Sequence, residues 1–422
     1  MKKAIYILCI IILVCSYSFS QNGWYNQNSG TNKFLTDVCF VDQNIGWASG
    51  WTGTILHTED GGENWSMQNP PPNNAYEGVY FIDDLTGWAV GYGGKIIFTS
   101  DGGVTWEEQV SGTSYYILDV QFIDANIGWT AGGRFADFNI DPIREILYTN
   151  NGGDTWETQL LESDEPPLNS IHFQDSDIGF AVGEGGKILK TTNGGQFWDE
   201  LMSDQQYHFY DVEFVNNNTG WVVGQDLSID HLAVIFNTTD GGLTWTLQTF
   251  NSDESLQGVC FADNMNGWVV GGGGTSAVIL HTSDGGVVWD YQDPDNAKSL
   301  KSVSFINDEI GWAVGYDGTI THTDDGGIVD IEGLIDDNTF ATKVSPNPFS
   351  NITTINFNLE QPSQVIISIF NQLGQKVKMI KQQYEVGKQQ FIWNADGLPS
   401  GFYHYYIKTD EQIASGEMFK AM

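Results

Sequence analysis

The stretch "TSDGGVTW", Thr99–Trp106, has near-copies at Thr58–Trp65, Thr149–Trp156, Thr191–Trp198, Thr238–Trp245 and Thr282–Trp289. A seventh copy, "THTDDGGIVD" at Thr321–Asp330, keeps the aspartate and glycines but has no tryptophan. A second phrase precedes each copy, as in "VYFIDDLTGW" at Val79–Trp88. Its last residue is Trp47, Trp88, Trp129, Phe180, Trp221, Trp268 or Trp312. These positions step by 41, 41, 51, 41, 47 and 44 residues. In the second unit, short alternating runs read "GVYFI", "GWAVG", "KIIFTS" and "WEEQV", and "TSDGG" is the turn between the third and fourth. Units of this length with four strands each predict propeller blades. The expected fold is all-β, a seven-bladed β-propeller.

The chain ends are expected to close the ring. "GWYNQNSG" at Gly23–Gly30 parallels "TWEEQVSG" at Thr105–Gly112, so Trp24 opens the outer strand that the seventh unit lacks. Closure removes exposed edges and gives every blade two neighbours. Cys39 and Cys260 then share one position in blades one and six, with blade seven between them. That separation exceeds the roughly 7 Å a disulfide tolerates, so two free thiols are expected.

The repeated phrase resembles the Asp-box, or BNR repeat, of six- and seven-bladed propellers. Its logic is local: an Asp or Asn side chain accepts backbone N–H groups just ahead of it, and glycine supplies the angles other residues avoid. The positions are Asp60, Asp101, Asn151, Asn193, Asp240, Asp284 and Asp325. Asn151 and Asn193 keep the acceptor oxygen and lose the charge, which suits a turn and not an acid catalyst. More narrowly, "GWAVGYGGKIIFTSDGGVTW" resembles the photosystem II assembly/stability factor family, over roughly residues 24–327. That resemblance implies a non-catalytic propeller that binds protein partners. Those factors carry an arginine-rich patch, whereas this chain has only Arg134 and Arg144.

The N-terminus "MKKAIYILCIIILVCSYSFSQ" has a basic start, an apolar run and small residues at Ser18 and Ser20. It reads as a signal peptide, residues 1–20, with a mature chain from Gln21. No later apolar run is long enough to predict a transmembrane helix. The formal charge is −37, and residues 21–335 hold 46 acidic against 8 basic side chains, a net −38. Such a surface repels phosphate backbones and argues against nucleic-acid binding.

The propeller is expected over 21–327 and a linker, "IVDIEGLIDDNTFA", over 328–341. The tail, 342–422, alternates as in "TTINFNL" and "QVIISIFN", which predicts a small C-terminal β-sandwich. Its "SPNPFSN", "NQLGQKV" and "LPSGFYHYYI" together resemble the C-terminal (type A) sorting domain of the type IX secretion system. The resemblance implies a Bacteroidota source, export through the periplasm, engagement of the type IX machinery, and a secreted or surface-attached product.

Candidate chemistry is sparse. A sialidase needs three arginines for its substrate carboxylate, and the chain has two. His57, His281 and His322 recur at one repeat position, which points to packing. No metal-ligand spacing occurs, so neither a cofactor nor a metal is expected. Carboxylates are abundant, which leaves an extracellular glycoside hydrolase with a carboxylate pair as the alternative reading.

In a propeller the Asp-boxes and the turns after the first strands share one face. The connections between second and third strands, and from blade to blade, share the other. That second face varies, with insertions at Arg134–Glu145 and Gln225–Ala233 and connections at Pro70–Glu77, Thr113–Asp119 and Gln205–Asp211. Loops on a rigid scaffold carry function. The expected contact residues are Tyr76, Tyr115, Tyr116, Arg134, Asp141, Arg144, Tyr207, His208, Tyr210, Asp230 and His231. The expected function is binding of a protein or polysaccharide partner on this loop face, without catalysis.

Overall fold

The computed structural model describes residues 23–327 and 341–421, apart from 74, 138–139, 229–231, 249–253, 275, 296, 372–375 and 410–412. The chain divides into two compact units between residues 328 and 329. The expected signal peptide and linker lie outside the described residues, except for Ala341.

The first unit contains seven four-stranded antiparallel sheets. Their inner strands are Leu35–Phe40, Tyr76–Phe81, Tyr116–Phe122, Leu168–Phe173, Tyr207–Phe214, Leu256–Phe261 and Leu300–Phe305. Each inner strand packs against the next, and the seventh packs against the first. The seventh sheet takes its outer strand, Tyr25–Gln27, from the chain start, pairing Tyr25 with His322 and Gln27 with Ile320. Asp325 Oδ2 accepts the N–H of Gly23 at 2.9 Å. The ring is therefore sewn shut where the sequence copy breaks off.

Each blade is fastened to the next by one repeated joint. Trp47 is fully buried and stacks on Phe81 of the following blade at 3.5 Å, while Trp106 meets that ring edge-on at 5.9 Å. Trp47 Nε1 and Gln68 Nε2 both donate to the Gly102 carbonyl at 3.0 Å. Gln68 Oε1 in turn accepts from Trp106 Nε1 at 3.0 Å. A Cβ on Gly103, whose φ is +85°, would sit 2.1 Å from Gln68 Oε1, so only glycine fits there. The joint recurs at closure, where Gln27 Nε2 and Trp312 Nε1 reach the Gly61 carbonyl.

The fourth-to-fifth joint departs from this pattern. Phe180 replaces the stacking tryptophan and Leu201 replaces the glutamine. Lys190 Nζ supplies the missing donor to the Gly241 carbonyl at 2.7 Å and lies 5.3 Å over the Phe180 ring. Trp245 Nε1 remains buried without a hydrogen-bond partner, and so do Trp198 Nε1 and Gln159 Oε1 at the preceding joint.

Within the Asp-box, Thr99 Oγ1 donates to Asp101 Oδ1 at 2.8 Å, and the Gly103 N–H returns to Thr99 Oγ1 at 2.8 Å. Thr105 N donates to Asp101 Oδ1 at 2.8 Å. Asn151 and Asn193 accept in the same way, from Thr155 N and Phe197 N at 3.0 Å.

The second unit is a sandwich of two sheets. One orders Thr342–Ser345, Ile352–Leu359 and Gly387–Asn394; the other orders Lys376–Tyr384, Ser363–Asn371, Gly401–Lys408 and Ile413–Lys420. Alternate residues such as Ile355, Phe357, Ile367, Trp393 and Tyr405 fill the space between them. Among the described residues of the chain, no helix is long and apolar enough to cross a membrane.

Candidate binding face

Every inner strand carries a register irregularity near its start, at Leu35/Asp37, Tyr76/Gly78, Ile117/Asp119, Leu168/Ser170, Phe209/Asp211, Leu256/Gly258 and Leu300/Ser302. A bulge re-aims the residue beside it. Here it turns three aspartates onto neighbouring blades. Asp37 accepts from Val79 N at 2.9 Å and from Ser302 Oγ at 2.7 Å. Asp119 accepts from Ile171 N at 2.8 Å. Asp211 accepts from Val259 N and Ser170 Oγ, each at 2.8 Å. Burial pushes all three carboxyls up, Asp119 and Asp211 to about 7, against the opposing pull of those hydrogen bonds. Lys301 faces the same axis, and burial lowers it against the attraction of Glu77, Asp211, Asp37 and Asp119. Its ammonium meets Gln257 Oε1 at 3.1 Å and lies 5.5 Å over the Tyr210 ring.

Above this ring, at the loop-face end of blades seven, one, two and three, aromatic side chains form a connected ribbon. Tyr316 stacks on Phe34 at 4.1 Å, and Phe34 meets Trp51 at 5.4 Å. Trp51 Nε1 donates to Glu77 Oε1 at 3.2 Å, and Glu77 also bonds the Tyr92 hydroxyl. Tyr92 packs on Tyr116 at 4.5 Å, and Tyr116 on Phe135 at 5.8 Å. Trp51 and Tyr316 are each 46% exposed and Phe135 is 37% exposed. Burial is the main reason the Glu77 carboxyl is raised, and burial with Glu77 nearby pushes the Tyr92 hydroxyl to about 12. Arg134 lies 5.5 Å over Tyr115 and donates to the Asp141 carbonyl at 2.8 Å.

Residues 17–109, 109–209, 202–290 and 248–331 each match the family of the photosynthesis system II assembly factor YCF48. The chain belongs to this family. Residues 343–419 match the secretion system C-terminal sorting domain. A stretch of 58 residues is 36% identical to photosystem II stability/assembly factor HCF136, chloroplastic, of Oryza sativa subsp. japonica, spanning 13% of this chain and 14% of that protein. YCF48 bound to D1 peptide superposes with a TM-score of 0.57 at 18% identity, over 74% of this chain and 99% of that one. YCF48 from Cyanidioschyzon merolae gives 0.55 at 19%, over 71% and 98%. A GH74 enzyme of Niastella koreensis gives 0.54 at 13%, over 95% and 75%. At these identities the three structures share a fold with this chain and nothing narrower.

Several residues expected to make contacts on the loop face are engaged otherwise. Tyr76 is fully buried; its hydroxyl donates to the Pro71 carbonyl, which holds the connection down instead of presenting a contact. Arg144 belongs to the strand Ile143–Thr149, because strand pairing runs further into the insertion than its sequence indicates. Its buried guanidinium is bound by Glu162, Glu165 at 3.7 Å and Glu200 at 3.4 Å, with Lys187 completing the network. These ions tie blade three to blade four. Tyr116, Tyr207, His208 and Tyr210 lie at the starts of inner strands, since Tyr116–Phe122 and Tyr207–Phe214 begin earlier than expected; Tyr116 keeps its place on the loop face as part of the ribbon. Tyr207 packs on Phe236, and His208 faces Glu184 at 4.0 Å. Asp230 and His231 lie outside the described residues. Phe34, Trp51, Tyr92, Phe135 and Tyr316 were absent from the sequence-based set. Trp51, Tyr92 and Tyr316 directly follow the glycine that ends each "GWASG" or "GWAVG" strand, and that shared position was the available signal.

Among the described residues, no group of three or more His, Cys, Asp or Glu gathers in a way that could hold a metal.

Proposed function

We propose that the chain is an exported binding propeller that engages a protein or glycan partner through the loop-face mouth and performs no reaction of its own. The observation that carries this reading is the half-exposed aromatic ribbon from Tyr316 to Phe135, set on a rigid ring. Exposed aromatics that are held in place bury large areas on binding at small entropic cost. The buried carboxylates below this ribbon have structural occupations: Glu77 is bound by Trp51 and Tyr92, and Asp37, Asp119 and Asp211 accept backbone N–H groups of neighbouring blades. That favours binding over hydrolysis. Residues 1–20 direct export to the periplasm, and 342–422 hand the protein to the type IX machinery of a Bacteroidota cell, for secretion or outer-membrane attachment.

The test is crosslinking capture at the native cell surface with paired variants. Trp51→Ala and Phe135→Ala should lose the captured partner, while Val104→Asn and Leu243→Asn on the Asp-box face should keep it. The reverse pattern would move the site to the other face. Release of sugar by the purified protein from a polysaccharide panel would overturn the non-catalytic reading.

A further inference from the structure

We propose that the occupant of the aromatic ribbon is an extended cationic segment of a partner protein, its lysine or arginine side chains seated on the exposed rings. This rests on the loop-face reading above and adds the chemistry of the partner.

Three observations converge on a cation. The first is the pairing of rings with carboxylates. Trp51 is hydrogen-bonded to Glu77, and exposed Asp317 follows exposed Tyr316 in the chain. A ring face beside a carboxylate attracts a guanidinium or ammonium twice, through the ring quadrupole and through the opposite charge. The second is that the propeller already uses its aromatic rings this way internally. Arg134 lies over Tyr115, Lys190 over Phe180 and Lys301 over Tyr210, at 5.3–5.5 Å. The third is the field. With 54 acidic against 17 basic residues in the chain, and most of that imbalance in the propeller, the surface steers cations inward and repels uronic, sulfated and phosphorylated polymers. A neutral glycan would gain nothing from the field, which therefore favours a cationic occupant over it. Backbone carbonyls of an extended peptide would keep their hydrogen bonds to water while alternate side chains reach the ribbon.

The experiment titrates the full chain with a capped peptide of alternating arginine and glycine, its glutamine-for-arginine counterpart, and a neutral β-glucan oligosaccharide. Intrinsic tryptophan fluorescence and calorimetry at physiological salt supply the readouts. The arginine peptide should bind and perturb the half-exposed Trp51, and the glutamine peptide should not. Trp51→Ala and Tyr316→Ala should each weaken binding about tenfold. Asp84→Asn and Asp154→Asn, which remove charge from the Asp-box face, should leave it within about twofold. Both sets of altered side chains are exposed, so each variant is expected to fold, and unchanged melting checks this. Binding that tracks the number of acids removed and ignores Trp51 and Tyr316 is mere adherence to an acidic surface and overturns the inference. Oligosaccharide binding that is lost in Trp51→Ala, without peptide binding, also overturns it while leaving the loop-face reading intact. Capture of the native partner that is insensitive to Trp51→Ala and Phe135→Ala defeats the loop-face reading itself.

Discussion

Replacing Trp24 with alanine tests whether the chain start is an integral part of the ring. Trp24 is 4% exposed, packs edge-on to Phe305 at 5.7 Å, and donates from Nε1 to Gln292 Oε1 at 2.7 Å. Truncating a buried tryptophan costs about 3–5 kcal/mol. The loss of its N–H also strands one oxygen of Gln292, whose Nε2 still donates to the Gly326 carbonyl at 2.8 Å. A buried acceptor left without a partner costs about 1–3 kcal/mol, so a loss of at least 4 kcal/mol or so is expected. For a domain of this size that is roughly 6 °C in melting temperature. Trp106, 8% exposed and bound to Gln68 in the same way within a continuous blade, is the internal standard. Trp24→Ala and Trp106→Ala should lower the guanidinium midpoint by similar amounts, followed by tryptophan fluorescence and by circular dichroism. If Trp106→Ala is severe and Trp24→Ala nearly silent, the N-terminal strand is an appendage and the closure argument fails.

The irregular fourth joint should be improvable: Leu201→Gln gives the unpartnered Trp245 Nε1 an acceptor and should add about 1 kcal/mol, read as a rise in melting temperature. Lys190→Met should do the opposite, because it removes the donor to the Gly241 carbonyl; an unchanged midpoint would show that the substitution for tryptophan is not compensated there. The axial carboxyls of Asp37, Asp119 and Asp211 have folded pKa values above their unfolded ones, so the folded state holds protons the unfolded state releases. Stability should therefore fall as pH rises from about 4 to 7, and Asp119→Asn should flatten that slope. Below about 4 the sign reverses, because hydrogen bonds hold Asp60, Asp101 and Asp240 under their ordinary values and protonation removes that stabilisation. Cys39 and Cys260 are unbridged, and burial pushes the Cys39 thiol up to about 12 and raises Cys260 as well. A disulfide reagent at neutral pH should leave both unmodified in the native protein and react with both in guanidinium; rapid native labelling would contradict the burial.

How far the sequence could be read depended on where each residue's partners lie. The Asp-box is legible because its bonds are local: Thr99, Asp101, Gly103 and Thr105 satisfy one another within seven residues. The ring closure is legible because a local motif lost its last part at Asp325 and regained it at Gly23. The joint between blades was half hidden. Its glutamine stands three places beyond six of the seven outer tryptophans, at Gln27, Gln68, Gln109, Gln159, Gln248 and Gln292, yet its partners lie in the next blade, as Gly102 does for Gln68. The mouth was the least legible. Trp51 and Tyr316 stand 265 positions apart in the numbering and meet only through Phe34 once blades seven and one have joined. Arg144 failed in the opposite sense: its sequence neighbourhood looked like a loop, and pairing with Gly133 on one side and Glu162 on the other drew it into an interior strand among three glutamates. The two faces therefore obey different rules. Six nearly equivalent joints need the Asp-box face to stay constant, because each box carbonyl anchors the preceding blade. The connections of the opposite face take no part in that repeated joint, so their lengths and residues vary from blade to blade, and four blades contribute aromatic side chains to one ribbon.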